Sequence, residues 1–291
     1  MPPFRFINGE GLLRTFVGCR SFHGYPAIFA VAVFLVVGSL PDTGGLGATT
    51  NDPSAEDLLQ VGDEAYSRFD NAAALAAYAK AVARDSSNCE ALWKLGRAHI
   101  DVGKASKDPR QTQHYFLGER ITRRCVALYP ESAQGHFFLA AALGRVALKV
   151  GGKEKIRLSK EIKAEAERTL ELNPQHDGAM HIIGRWHYEL GTLSWVLKSF
   201  AKLIYGGLPP DGGIESAVFW LKKAVAAAPA VPMHHLWLGK ALVELKRYDE
   251  ARAHLEMCLS LPKFYWDDEE HKELARSTLK DIAGKNHQQG K

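Results

Sequence analysis

A bulky apolar residue followed by a small one returns five times in one phase: Val61-Gly62, Leu95-Gly96, Leu139-Ala140, Ile183-Gly184 and Leu238-Gly239. Between these pairs runs a second signature: a small residue, a large one four later, a small one three after that, and a proline or turn residue five further on. It reads Ala74, Tyr78, Ala81, Ser86, then Ala217, Leu221, Ala224, Pro229, then Ala251, Leu255, Cys258 with Pro262 one residue early. Steps of three and four keep residues on one face of a helix. From Ser54 onward that periodicity dominates and β-branched runs are scarce, so no strand pattern competes. A small residue on such a face lets the partner backbone approach, and the large one fills the hole beside it. Each helix pair then exposes an apolar face that only the next pair can cover, which is the condition for a stacked array.

The phase is that of tetratricopeptide-type hairpins. The predicted fold class is therefore all-α, a tetratricopeptide-like α-solenoid of about five helical hairpins with a C-terminal capping helix. Pro130 to Pro174 is 44 residues, Pro174 to Pro229 is 55 and Pro229 to Pro262 is 33, against about 34 for the ordinary unit. The surplus falls inside hairpins two to four: at Gly103 to Gln113, at Lys149 to Lys160 around Gly151-Gly152, and at Thr192 to Gly213. In the last of these LSWVLKSFAKLIY has the period of an extra or longer helix, and GGLPPDGG must be loop. After Pro262, YWDDEEHKELARSTLKDI predicts the capping helix, its acidic first turn from Asp267 to Glu270 suited to the helix dipole. The expected organisation is an N-terminal segment over 1–48, a linker over 49–54, the repeat domain over 55–283 and a disordered tail over 284–291.

The N-terminal segment reads as an address. Arg5, Arg14 and Arg20 precede the apolar run AIFAVAVFLVV, which extends at most from Ala27 to Leu40. At about 1.5 Å per residue it reaches about 21 Å, short of a bilayer core of about 30 Å. A signal peptide cut near Ala48 fits better than a spanning helix, and a start at Leu13 or Val17 would give it ordinary length. An uncleaved short anchor and an organelle transit peptide are the alternatives. The expected location is exported, periplasmic or extracytoplasmic, or membrane-anchored at the N-terminus.

A closer resemblance is carried by His181-Ile-Ile-Gly-Arg185-Trp186-His-Tyr188-Glu189-Leu, followed by Leu193-Ser194-Trp195, Lys198, Ala201, Ile204-Tyr205-Gly206 and Pro209. This block, none of which the repeat demands, resembles the regulator of microtubule dynamics family, and the resemblance extends over about residues 55 to 283. It implies an all-helical, non-enzymatic interaction domain. In animal members that means association with microtubules or with contacts between organelle membranes. The family resemblance extends to exported bacterial members, whose N-terminus this one resembles, so microtubules are an expected partner only for a eukaryotic source.

The remaining composition excludes more than it names. An excess of 37 basic over 33 acidic side chains is too small for a dedicated nucleic-acid binder. Cys19, Cys89, Cys125 and Cys258 form no Cys-x-x-Cys pair, the twelve histidines form no His-Glu-x-x-His, and no phosphate loop or nucleophile elbow is present. No metal, cofactor or catalytic group is expected. Cys125 and Cys258 read as packed thiols, as does Cys89 at the start of a first helix. The basic run Lys149, Lys153, Lys155, Arg157, Lys160 and Lys163 reads as a solvated helix side.

The expected site is the concave face lined by the first helix of each hairpin. Phasing on the small residues places Asp63, Arg97, Ala141, Arg185 and Lys240 in equivalent positions there, with Leu59, Trp93, Phe137, His181 and Leu236 one turn earlier. The candidate binding residues are Trp93, Arg97, Phe137, Arg145, His181, Arg185, Tyr188 and Lys240. Aromatic surface beside cations suits an acidic peptide or protein partner, or a lipid whose head pairs with arginine. Trp186, Trp195, Trp220 and Trp237 read as packing between helices. The expected function is protein-protein interaction or scaffolding, with a lipid-binding or lipid-transfer module as the alternative.

Overall fold

Short polar side chains open most of the early helices. Ser54, Asp70, Asn88 and Ser132 each accept a backbone N–H three residues on, and Ser54 forms a full capping box with Asp57. His176 does the same with Nδ1, and Pro232 stands in the first turn of its helix, where no N–H is missed. The computed structural model describes residues 52–193 and 213–285. Among these are eleven helices and no strand: α1 (Ala55–Ser67), α2 (Asn71–Arg84), α3 (Cys89–Ala105), α4 (Arg110–Leu128), α5 (Ala133–Val146), α6 (Gly152–Leu172), α7 (Asp177–Thr192), α8 (Ile214–Ala227), α9 (Pro232–Glu244), α10 (Tyr248–Ser260) and α11 (Asp268–Asp281). Successive helices pair into five hairpins, and α11 caps the last against α9 and α10. The apolar run before residue 52, the block from Ser194 to Pro209 with Trp195, and the last six residues lie outside the described residues.

The small-large phase is the hinge of every hairpin. A Cβ added at Gly62 would stand 2.3 Å from Tyr78, at Gly96 2.3 Å from Thr122, at Gly184 2.7 Å from Leu221 and at Gly239 2.7 Å from Leu255. In the third hairpin Ala140 packs in one cluster with Ala166 and Ile183. Hairpin two therefore carries the second signature as Gly118, Thr122, Cys125 and Pro130, with threonine where a large residue is expected. Its surplus residues lengthen the helices: α3 and α4 have 17 and 19 residues, against 13 and 14 in α1 and α2. The first and last hairpins close on the same turn, with Phe69 and Lys246 at φ 61° and 59°. In each the next N–H returns to the preceding helix, from Asp70 to the Ala65 carbonyl and from Arg247 to that of Leu242.

The core is a row of clusters, as nearest-neighbour stacking requires. Tyr78 anchors the first, Leu139, Leu143 and Leu158 a second, and Leu221, Leu236, Leu242 and Leu255 the last. The first helices α3, α5, α7 and α9 touch one another in succession, with no comparable packing between successive second helices among the described residues. The closer-packed layer is the inside of the curve. Trp186 is buried and donates through Nε1 to Ser159 at 2.9 Å, and Trp220 packs on the Ile183 cluster, so both are packing residues. Cys125 and Cys258 are fully buried, and the half-buried Cys89 sulfur lies 3.5 Å from that of Cys125. Along the basic run Arg157 pairs with Glu154 and Glu161, Glu161 also takes Arg123 of α4, and Lys163 pairs with Glu167 on the other side of α6. No helix among the described residues is long and apolar enough to cross a membrane.

Candidate functional site

Two cation and aromatic clusters stand on the inner helices. In the first, the Arg97 guanidinium lies 3.6 Å from the Tyr66 ring centre and 5.3 Å from that of Trp93. It donates to the Tyr78 hydroxyl at 3.0 Å, which donates to Asp63 at 2.7 Å, and the second oxygen of Asp63 takes Lys94 at 2.6 Å. Trp93 stacks flat on Phe138 of the next hairpin, centres 5.3 Å apart. Burial, then the Asp101 charge, pushes the Tyr66 hydroxyl up to about 12. Cation-ring contacts of this kind contribute about 0.5–2 kcal/mol each, more where water is excluded.

The second cluster joins α5, α7 and α9. Arg185 lies 3.2 Å over the Trp237 ring, and Lys240 stands 4.5 Å from the same ring and 5.8 Å from Tyr188. Tyr188 meets Trp237 edge-on and donates to Glu244 at 3.4 Å, and burial pushes its hydroxyl up to about 12. Arg185 reaches the exposed Glu189 at 2.9 Å, while its Nε, like that of Arg97, is buried without a hydrogen-bond partner among the described residues. Half-buried Arg145 carries no ion pair among the described residues, and its charge acts on Arg185. Burial first, and neighbouring positive charge next, depress both Arg185 and Lys240 from their ordinary values. Three cations thus stand in a coupled row, answered among the described residues by the exposed acids Glu189 and Glu244, which favours an anionic guest.

Of the residues expected on the wall, Trp93 and Arg97 fall in the first cluster and Arg145, Arg185, Tyr188 and Lys240 in the second. Phe137 meets Phe138 of the first cluster edge-on, ring centres 4.7 Å apart, and His181 is placed differently. Phe137 packs against His176 and over Gly178, where a Cβ would meet its ring at 2.6 Å. His181 is buried with Nδ1 3.0 Å from that of His234, whose Nε2 meets Asp177 at 2.8 Å. Trp237 packs between helices as expected, on the last cluster and edge-on to Tyr188, and its half-buried ring also takes Arg185. Tyr66 and Phe138 complete the first cluster, and no repeat position singles them out.

A further element reaches the same face from the far end of the chain. The non-helical stretch between α10 and α11 returns to the first two hairpins, where Trp266 donates through Nε1 to Asp101 at 3.2 Å and Lys104 pairs with Asp267 at 2.5 Å. Lys104 also stands 5.6 Å from the Trp266 ring, and Lys263 lies 4.8 Å from that of Phe69. The stretch is shaped from within. The fully buried Asp268 carboxylate accepts the N–H groups of Phe264 and Tyr265, each at 2.7 Å, and Lys272 donates to the Leu261 carbonyl at 2.7 Å. The acidic first turn expected of the cap is present from Asp268, but Asp267 is turned away to Lys104.

The family profile described as regulator of microtubule dynamics protein 1-3 matches residues 58–283. The chain is 26% identical over 206 residues to regulator of microtubule dynamics protein 1 of Bos taurus, covering 70% of this chain and 65% of that protein. It is 28% identical over 200 residues to regulator of microtubule dynamics protein 2 of Mus musculus, covering 67% of this chain and 48% of that one. The chain therefore spans 65% and 48% of the length of these two relatives. Among solved structures, a thermophilic TPR protein of Thermus thermophilus superposes with a TM-score of 0.58 at 18% identity, over 77% of this chain and all of that one. That likeness is one of fold.

Proposed function

The chain belongs to the regulator of microtubule dynamics family, and from that premise we propose that its helical array is a non-enzymatic module that holds a protein partner through acidic side chains on its inner wall. The observation that carries this reading is the Arg145, Arg185 and Lys240 cluster, in which Arg185 feels the charge of Arg145 and Lys240 that of Arg185, backed by Trp237 and Tyr188. Such a wall binds carboxylates by charge and by hydrogen bonds from guanidinium forks. Its tyrosine, pushed up to about 12, stays protonated near neutrality and can donate to such a group. The chain is exported or tethered through its N-terminal segment in this reading, and microtubules enter as partner only where the source is eukaryotic.

The same cations beside aromatic faces also suit a phosphate head with apolar chains, so lipid binding or transfer is the second reading. An array of acidic peptides and anionic phospholipid vesicles, each offered to the full chain and to an Arg145→Ala, Arg185→Ala variant of unchanged helicity, tests both. The peptide reading expects a loss of about tenfold in peptide affinity, ~1.4 kcal/mol. Equal peptide binding by both chains overturns it, and vesicle binding alone, lost in the variant, establishes the lipid reading.

A further inference from the structure

The return of the Tyr265-Trp266-Asp267 stretch to the first two hairpins joins residues more than 160 positions apart in sequence. Its contacts there are made by side chains, while its backbone is held by Asp268 at the start of α11. It therefore arrives as a pre-shaped ligand on a surface that supplies its complements one by one. Asp101 of α3 is buried and accepts the indole N–H. Lys104, one turn on, stands between two acids, 3.9 Å from Asp101 and 2.5 Å from Asp267, with the indole face also in reach. Tyr66 lies within the field of both acids, and Tyr265 sits near Tyr66 and Asp177. At the rim Phe69 remains 40% exposed beneath Lys263, and Phe264 remains 50% exposed.

Each complement is specific. An indole donor answers a buried carboxylate whose ion-pair partner, Lys104, stands at a long 3.9 Å. An acid directly after the indole answers the free side of that lysine. We propose that this surface of α1 and α3 is a recognition site for a tryptophan followed by an aspartate, filled in cis by Trp266-Asp267 and open in trans to a partner peptide of the same chemistry. This deepens the proposed interaction role by naming a class of partner, and it rests on that role. The seat is nevertheless separate from the cations of α5, α7 and α9, so the two stand or fall on different variants.

The probe is the synthetic peptide Lys-Phe-Tyr-Trp-Asp-Asp, offered to the full chain and to a Trp266→Ala, Asp267→Ala variant whose helicity and melting are checked first. The variant, its seat vacated, binds the peptide at least about tenfold more tightly than the parent does. Adding Lys104→Ala abolishes that gain, whereas adding Arg185→Ala leaves it intact. A second measurement needs no substitution: saturating the parent chain with peptide accelerates amide hydrogen exchange at Tyr265 and Trp266 as the resident segment leaves. Equal affinity for parent and variant, binding to neither, a gain that survives Lys104→Ala, or unchanged exchange each overturns the proposal. A peptide whose binding depends on Arg185 and not on Lys104 overturns it too, while leaving the acidic-partner reading in place.

Discussion

His181 of α7 and His234 of α9 face each other Nδ1 to Nδ1 at 3.0 Å, both buried. The carboxylate of Asp177, 2.8 Å from Nε2 of His234, can only accept, so His234 donates there and its Nδ1 accepts from His181. Two more such pairs bridge helices, His99 with His114 at 2.9 Å and His235 with His254 at 3.1 Å. A second proton on any pair destroys its bond and places like charges together.

Acidification should therefore loosen the solenoid before the carboxylates of Asp177 and Asp268 titrate. Burial, then the charges of His114 and Arg120, pushes His99 down to about 4, and burial with His234, Arg185 and His271 around it holds His181 well below 6.5. A folded value below the unfolded one means that the unfolded chain binds the extra protons, so stability is full above about 6.5 and is lost as pH falls toward about 4. His99 alone accounts for at most roughly 3 kcal/mol. Urea midpoints measured between pH 7 and 4.5 should fall, and His99→Gln should flatten the fall. Asp177 and Asp268, both held below 3.8, act only beneath that window.

Two glycines in helices should respond to alanine with opposite signs. At Gly62 the new Cβ would lie 2.3 Å from the buried Tyr78 ring, a clash costing about 1–3 kcal/mol. At Gly144, near the end of α5, an added Cβ meets nothing within 4 Å among the described residues, and alanine should gain about 0.5–1 kcal/mol from helix propensity. Thermal melts of the two variants read the difference directly.

Lys246 holds a left-handed backbone conformation at φ 59°, which costs a side-chain-bearing residue about 1–2 kcal/mol. Lys246→Gly removes that strain at an entropic cost of about 0.5–1 kcal/mol, so melting should rise slightly. Lys246→Val should lower it, because a β-branched residue tolerates that region least.

The described thiols should separate in their reactivity. Burial and the contact with Cys89 push Cys125 up to about 12, and burial pushes Cys258 up to about 11. Since the thiolate is the nucleophile, iodoacetamide applied to the native chain should mark half-buried Cys89 and spare the other two until urea is added. Peptide mass mapping distinguishes the three.

The fold was legible wherever a small residue met a large one in phase, as with Gly62 and Tyr78, Gly184 and Leu221, or Gly239 and Leu255. Hairpins two and three hid their second halves because Thr122 and Ala166 occupy the large position, and because extra turns of α3, α4 and α6 shift the spacing. On the wall, Arg97, Arg185 and Lys240 followed from phase alone, since the small residue fixes which face points inward. Phase could not say that His181 would be claimed by His234, because that depends on a partner 53 residues away. Nor does any local period announce Trp266 and Asp267. Their only trace was a dense knot of aromatic and acidic residues, which reads equally well as the start of a capping helix.

A stack of hairpins coupled only to its neighbours behaves as a spring, which can be stretched or melted from either end without the other taking notice. The pairing of Lys104 with Asp267 and of Trp266 with Asp101 clasps that spring into a closed loop. Its compliance is then set by the clasp, and tension applied at the C-terminal cap is borne directly by the second hairpin, with the three between bypassed.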